Sequence, residues 1–416
     1  MTLTDTTRRK IVIIGGGVGG MAVFTKIHEE LRYPDVTLIE PSTHCVYPPL
    51  WPLVSVGAAT PEETLRPIRD YLPETSRWSR DRAKKIDQKK HIVVTEGGRE
   101  IPYEFLVICP GLVHNPKDIK KLDSMIEDGH VQSTYDLASA ERTYAALQEV
   151  EEGTILVTTN ALGIRDNYTL VMAHMIEDYV SRKGIRDKVK VIFATVNDQL
   201  FPNDEVHKAY ERLASNKKIE IITGQKLVGI DTEAKEAELA PLDEKGKPSK
   251  ETTKIPYSFL HVTPELVPPE VVGKSKLIAR RGDFKGWLNV DPFTLENTKD
   301  PNVFGLGEVT NLEIPMSMDA LEAQATVVAH NLVSRLRGRG PYFYKTYDGS
   351  ASLPFVYGQG SAVQSRVQFN VTQDEKGKDE VDGFKVTQTP SAGAFLWLAL
   401  RHLAPRRYWK RQLKRL

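Results

Sequence analysis

Gly15, Gly17, Gly20 and Glu40 are the residues whose types and spacing first point to chemistry. In Gly15-Gly16-Gly17-Val18-Gly19-Gly20 the first glycine permits a tight turn. Gly17 lets backbone approach a pyrophosphate, and Gly20 lets a helix pack closely on a strand. Glu40 stands twenty residues beyond Gly20, where an acid accepts hydrogen bonds from ribose hydroxyls and disfavours a 2′-phosphate. The pattern fits an adenine dinucleotide held at a helix N-terminus, whose unpaired N–H groups favour negative charge.

Such a site needs elements to place it. Lys10–Ile14 (KIVII) is a continuous apolar, β-branched run, which predicts a strand buried on both faces. A helix over residues 21–31 and a second strand over 36–39 follow, so the glycines fall at a strand-to-helix turn and Glu40 at a strand end. Another buried strand is expected over 103–109 (YEFLVIC), with Pro110-Gly111 forcing a turn. Far along the chain, residues 302–304 lead into Gly305-Leu306-Gly307-Glu308, and a helix is expected over 319–336. Pro110, Gly111, Gly307 and Glu308 therefore join the expected cofactor contacts. A helix N-terminus there suits a ring on which negative charge gathers when it is reduced. The plainer alternative for residues 302–336 is a strand, turn and helix with no ligand.

The bulk numbers set outer bounds. A chain of 416 residues holds two or three domains, and 40% hydrophobic with 27% charged residues is ordinary for a globular protein. No apolar run reaches the roughly 18 residues of a membrane span. The first ten residues form a polar leader without the apolar core of a secretory signal. Two cysteines, Cys45 and Cys109, leave no room for a disulfide framework or a cysteine-rich metal site. The histidines, His44, His174, His261 and His330 among them, show no metal-ligand spacing, so no metal is expected.

A second βαβ unit is expected in residues 116–270, with strands over 154–158 and Val189–Thr195 and a helix over 171–182. Its first turn, residues 159–167 (TNALGIRDN), has Gly163 as its one glycine. Leu162, Ile164 and Arg165 would keep backbone away from a pyrophosphate, so NAD(P)H is not the expected donor. Arg165 is a candidate for recognising an anionic substrate, set against a solvated pair with Asp166.

With these segments in place, the chain resembles the sulfide:quinone oxidoreductase family, its mitochondrial-type branch in particular. Residues 40–57 (EPSTHCVYPPLWPLVSVG), 255–269 (IPYSFLHVTPELVPP), 286–291 (GWLNVD), 301–311, Tyr347-Asp348-Gly349 and Leu353-Pro354 carry the likeness in the family's order. The resemblance implies an α/β protein of two Rossmann-like, glutathione-reductase-like dinucleotide domains with a C-terminal membrane-associating segment. Residues 1–115 with 271–345 would form the FAD domain, 116–270 the second domain, and 346–416 the flavin- and quinone-side region and anchor. It further implies electron transfer from a small reductant, sulfide or a related sulfur compound, through FAD to a quinone. Met316, Gln324, Leu353 and Pro354 would face the flavin or quinone.

Two departures bear on mechanism. The family captures sulfur with a cysteine pair, one near Gly163, Ile164 and Arg165 and one just before the proline, where this chain has Leu353. Neither position holds a thiol. A family lysine is replaced around Met316, and Glu308 takes the place of an aspartate. Of the two remaining thiols, Cys45 is the redox candidate, against a packing role, because its loop runs toward the expected flavin. No cysteine is placed for a thioether, so FAD is expected to be non-covalent.

Residues 391–416 contain no acid. Trp397 lies in an apolar stretch, and after Pro405 a stripe of Trp409, Leu413 and Leu416 opposes Lys410, Arg411, Lys414 and Arg415. This pattern fits a helix lying in an anionic lipid surface, or else one docked on the protein or a partner. A monotopic protein follows, on the mitochondrial inner membrane in a eukaryote or the cytoplasmic membrane in a prokaryote. No nucleic acid is expected as a partner, and homodimerisation is left open. Two rivals remain: a catalytically silent FAD-binding scaffold or sensor, and an NADH:quinone oxidoreductase.

Overall fold

The computed structural model describes residues 10–413 apart from 33, 74, 75, 116, 162, 164–167, 245, 375, 376, 378 and 394. Arg165, Lys414 and Arg415 therefore lie outside the described residues, and of Arg411 only the backbone is described.

Apolar β-branched runs form the first sheet. β1 (Lys10–Ile14) leads through the glycine turn into α1 (Val18–Glu30), then β2 (Asp35–Ile39), β3 (Arg77–Ser79) and β4 (Phe105–Ile108). β1 pairs in parallel with β2 and β4, and Ile14 lies opposite both Ile39 and Ile108. That register brings Gly15, Glu40 and Cys109, each one residue further on, to one level at the carboxyl edge. Ligands of open parallel sheets bind at that edge.

The pattern then repeats. β5 (Gly153–Thr159), α2 (Tyr168–Arg182), β6 (Val189–Thr195), β7 (Glu220–Ile222) and β8 (Phe259–Thr263) build a second parallel sheet in the order β7-β6-β5-β8. Each sheet is accompanied by a three-stranded antiparallel meander, spanning residues 83–102 in the first unit and 225–256 in the second. Two connections cross between the units and pair Val113–His114 with Leu266–Val267. The chain returns through β9 (Val303–Gly305), which adds to β4 and completes the order β9-β4-β1-β2-β3. α3 (Met318–Leu336) then packs along α1.

An antiparallel sheet of β10 (Ala351–Gly358), β11 (Ser361–Gln373) and β12 (Asp379–Ala392) follows. Sequence reading gave it no strands. In β10, Leu353 and Phe355 are buried while Pro354 between them is exposed, the two-residue alternation of a strand.

The C-terminal segment also departs from expectation. Pro405 does not end the helix. The chain stays helical from Leu396 to Gln412, with wide i→i+5 turns at Ala399–Leu403 and Tyr408–Gln412 on either side of Ala404–Arg407. A widened turn absorbs the hydrogen bond that proline cannot donate.

Of the stripe expected to meet lipid, Trp409 and Leu413 turn inward, and Leu416 lies outside the described residues. Tyr408 and Leu413 are buried, and the Tyr408 hydroxyl donates to the Val46 carbonyl at 3.1 Å. Trp409 stacks on Tyr71 at 6.1 Å and lies 5.2 Å from the Arg66 guanidinium. Trp397 is half-buried against the same core. Arg401 grips both Glu63 carboxylate oxygens at 2.8 Å and donates to the Ala58 carbonyl. The apolar side chains left outward are Phe395, Leu398 and Leu403, and Lys410 is exposed. Among the described residues, no helix is long and apolar enough to cross a membrane.

Candidate functional site

The aligned strand ends open into a cleft of about 360 Å³. Gly15, Gly17, Glu40, Pro110, Gly111, Gly307, Glu308 and Met316 all line it. Each glycine meets a distinct demand. Gly15 has φ +100°, and a Cβ there would lie 2.5 Å from the Cys109 carbonyl oxygen. A Cβ on Gly20 would fall 1.9 Å from the Gly15 oxygen, so α1 packs directly on the turn. At Gly17 a Cβ would meet nothing within 4 Å. The space beside it is open cleft at the N-terminus of a 13-residue helix with no acid in its first turn. That cradle suits phosphate.

Glu40 is held by backbone. Gly16 N–H donates to its Oε2 at 2.6 Å and Ser42 N–H to its Oε1 at 2.7 Å. These bonds aim the carboxylate at the cleft beside the glycine turn.

Gln324 does not line the cleft. It is fully buried behind it, accepting from Gly307 N–H at 2.9 Å and donating to the Met316 sulfur at 3.6 Å. Its side chain ties the Gly-Leu-Gly turn, where Gly307 has φ +80°, to the loop entering α3. Ser317 caps that helix by accepting from Ala320 N–H at 3.4 Å, and Met316, Ser317 and Met318 line the cleft. The positive end of a 19-residue dipole thus sits at the wall.

Leu353 and Pro354 are elsewhere, Leu353 in the core and Pro354 on the outer face of β10. Cys45 is also displaced from the role expected of it. In the three-residue strand His44–Val46 its neighbour Val46 faces the cleft, while Cys45 turns into the core at 1% exposure. Burial, then the charges of Glu40 and Asp70, push its thiol up to about 12. Cys109 borders the cleft, but its thiol donates to the Ile14 carbonyl at 3.3 Å and burial pushes its pKa well up. Both are free thiols, and neither is a thiolate near neutral pH.

The remaining walls were not legible beforehand. Val46, Pro48, Pro49, Trp51 and Pro52 form an apolar side. Thr134, Tyr135, Tyr168 and Thr263 form a hydroxyl-bearing side near Glu308. Tyr168 opens α2, lines the cleft and is 42% exposed there. Thr134 comes from a connection between the units and could be found only by folding the chain.

In the matching turn of the second unit, the described backbone donors are already engaged. Ala161 N–H donates to the Thr159 hydroxyl, and Gly163 N–H donates to the Asn197 side chain at 2.7 Å. Asn160 is buried, bonding Leu227 N–H, the Leu227 carbonyl and Asp118. Those two N–H groups, which in the first unit would meet a pyrophosphate, already have acceptors.

Comparison with known proteins agrees with this architecture. A family model described as pyridine nucleotide-disulphide oxidoreductase matches residues 9–326. The chain is 27% identical to the mitochondrial sulfide:quinone oxidoreductase of Mus musculus over 412 residues, covering 99% of this chain and 88% of that one. Its fold is similar to the sulfide:quinone oxidoreductase of Aquifex aeolicus, with TM-score 0.77, 21% identity and coverage of 98% and 91%. It is equally similar to a chain in the cryo-EM structure of the Tetrahymena thermophila mitochondrial ATP synthase tetramer, with TM-score 0.76, 18% identity and coverage of 100% and 98%.

Proposed function

The chain belongs to the pyridine nucleotide-disulphide oxidoreductase family, in its sulfide:quinone oxidoreductase branch, and from that premise we propose that it is an FAD-dependent enzyme passing two electrons from a small reductant to a membrane quinone. The observation that carries this reading is the single cleft into which the open cradle at Gly17, the aimed carboxylate of Glu40, the Gly307-Glu308 turn and the α3 N-terminus converge. FAD, when bound, supplies the two-electron chemistry. Gly17 and the first turn of α1 hold its pyrophosphate, Glu40 its adenosine ribose, and Pro110, Gly111, Gly307 and Glu308 the rest of its length. Binding is non-covalent, since Cys45 is turned away and Cys109 is already donating to backbone.

No described residue supplies a thiolate to the cleft, so the donor must react at the flavin itself or with a group outside the described residues. The self-bonded turn at Ala161 and Gly163 makes NAD(P)H a poor fit for that role. Phe395, Leu398 and Leu403 carry membrane attachment, with Lys410 and Arg406 beside them meeting anionic headgroups.

The deciding experiment is anaerobic titration of the purified yellow protein with sulfide, with NADH alongside. Fast bleaching of the visible flavin absorbance by sulfide, reversed by a soluble quinone, is the expected result. No bleaching by either would favour the second reading, a silent FAD-binding scaffold. That reading draws on the missing thiol pair and on the fold shared with a chain of an ATP synthase assembly.

A further inference from the structure

The edge of the first sheet opposite the cleft carries aromatic rings that the fold leaves in water. α3 ends at Leu336 on this amino edge, where Arg335 donates to the Asn302 side chain just before β9 and to Glu296. The chain then turns through Pro341–Phe343, with Tyr342 94% and Phe343 53% exposed. This turn is pinned. His330 Nε2 lies 3.0 Å from the Phe343 carbonyl, and the Asn331 side chain bonds both the N–H and the carbonyl of Lys345. Tyr342 and Phe343 meet edge to face at 5.5 Å, and the Arg339 guanidinium lies 5.7 Å from the Phe343 ring. Aromatic side chains on a fixed turn lose little freedom when a partner covers them, which is the property of an interface anchor.

The same edge is basic, on a chain whose net charge is only +1. Lys299 Nζ donates to the Lys276 and Ile278 carbonyls, and partial desolvation, then the charge of Arg280, lower its pKa. The segment from Glu296 to Asn302 joins these cations to the turn, and no acid occurs in residues 323–347. Arg280, Lys299, Arg337, Arg339 and Lys345 are exposed, and among the described residues none of them forms an ion pair. The neighbouring acids are engaged: Glu296 with Arg335 at 2.9 Å, Glu30 with His330 at 3.6 Å, and Asp300 with Asn302 N–H at 3.1 Å. The C-terminal helix meets α3 near its other end, through Arg407 and Glu322. Helix rise puts Glu322 about 21 Å from Leu336, so the turn stands apart from the side chains assigned to the membrane. We propose that Tyr342 and Phe343, flanked by these cations, dock an acidic segment of a water-soluble protein partner. The rings bury against its apolar side chains and the cations meet its carboxylates. The inference stands apart from the flavin and quinone reading and does not fall with it.

The probe is a fluorescent random copolymer of glutamate and tyrosine, titrated with the full chain as purified and followed by anisotropy. Wild type is expected to bind it at low salt and to release it as salt is added. Arg339→Glu/Lys345→Glu should raise the dissociation constant about ten-fold or more and flatten the salt dependence. Tyr342→Ser/Phe343→Ser should raise it about ten-fold while the salt dependence stays. Phe395→Ser/Leu398→Ser/Leu403→Ser should bind as wild type does. Wild-type melting temperatures are expected in both double variants, because the altered side chains are exposed, and they separate lost binding from unfolding. No copolymer binding by wild type, or binding indifferent to both double variants, would overturn the proposal. So would loss of co-sedimentation with anionic vesicles in Tyr342→Ser/Phe343→Ser, which would make the turn a membrane contact. Tighter binding of single-stranded polyuridylate than of the copolymer, lost in Arg339→Glu/Lys345→Glu, would overturn it in favour of nucleic acid.

Discussion

Gly17 and Gly20 differ by three positions and should answer substitution in opposite ways. A Cβ at Gly20 would collide with the Gly15 oxygen at 1.9 Å, backbone against backbone. Gly20→Ala is therefore expected to cost stability, by about 3 kcal/mol or more, with weakened FAD binding as a by-product. A Cβ at Gly17 meets nothing, and Gly17 has an ordinary φ of −71°. Gly17→Val should leave the melting of the FAD-free chain within about 0.5 kcal/mol of wild type while lowering FAD affinity by an order of magnitude or more. Equal FAD affinity in Gly17→Val would sink the pyrophosphate assignment. The glycine spacing is legible in sequence because each glycine answers a local backbone demand. Cys45 was not legible, because whether a loop thiol faces a cleft or the core depends on the inward-outward phase of a three-residue strand. The buried histidines add a pH prediction. His174 and His261 are held near 4 and 3 by burial, against an ordinary value of 6.5. Below pH 6.5 the unfolded chain takes up protons that the folded chain refuses. Their contribution is thus complete above pH 6.5 and is lost as pH falls toward 4 and 3. Chemical denaturation at stepped pH should show wild type losing more stability over that window than a His174→Asn/His261→Asn variant. Parallel curves for the two proteins would show that the rings titrate freely in the fold.

At the scale of elements, β1, β2, β4, β5 and β6 were foreseeable from unbroken apolar runs, and Val189–Thr195 was expected with its observed bounds, whereas the short, polar β3 and β7 carry no such run. Helix starts were expected late: α1 begins at Val18 and α2 at Tyr168, because glycine and the first-turn residues carry little periodic signal. The β10–β12 sheet escaped notice since Pro354 interrupts one strand and β12 is largely exposed, leaving no apolar run to find. The C-terminal segment is the more instructive miss. Its pattern of aromatics opposite cations describes any helix with one apolar face, and only the fold shows that Tyr408 and Trp409 cover Tyr47 and Tyr71 and that Leu413 is buried. The two faces should therefore separate by mutation. Phe395→Ser/Leu398→Ser/Leu403→Ser is expected to keep the wild-type melting temperature and lose co-sedimentation with anionic vesicles. Tyr408→Ala is expected to cost about 3–5 kcal/mol, through a cavity and the lost bond to Val46, before any effect on vesicles is seen. Vesicle binding that survives the triple serine variant would refute attachment through these side chains.

The whole molecule is one βαβ-plus-meander plan used twice, open at the first unit's turn and with the described first-turn donors engaged in the second. The difference lies in where the first-turn N–H groups go. In the first unit the turn around Gly17 forms an open cradle at a helix N-terminus. In the second, Ala161 and Gly163 donate to Thr159 and Asn197, and Asn160 is sewn to Leu227 and Asp118. Reaching that turn with a pyrophosphate would require breaking bonds that hold β5, β6 and the meander together, which no phosphate contact recovers in full. A ligand that binds only the folded state raises stability in proportion to the logarithm of its concentration over Kd, about 2.7 kcal/mol at a hundredfold excess. Thermal melts of FAD-free protein should accordingly shift upward with added FAD, and the shift should grow with FAD concentration. NADH up to about 1 mM should leave the melting temperature unmoved both with and without FAD, because no part of its free energy can be linked to folding. A rise with NADH in the FAD-loaded protein would mean that the second turn opens after all, and the NADH:quinone reading would have to be restored. A rise with NADH only in the FAD-free protein would instead trace to its adenosine half entering the first cradle, which FAD would then compete away.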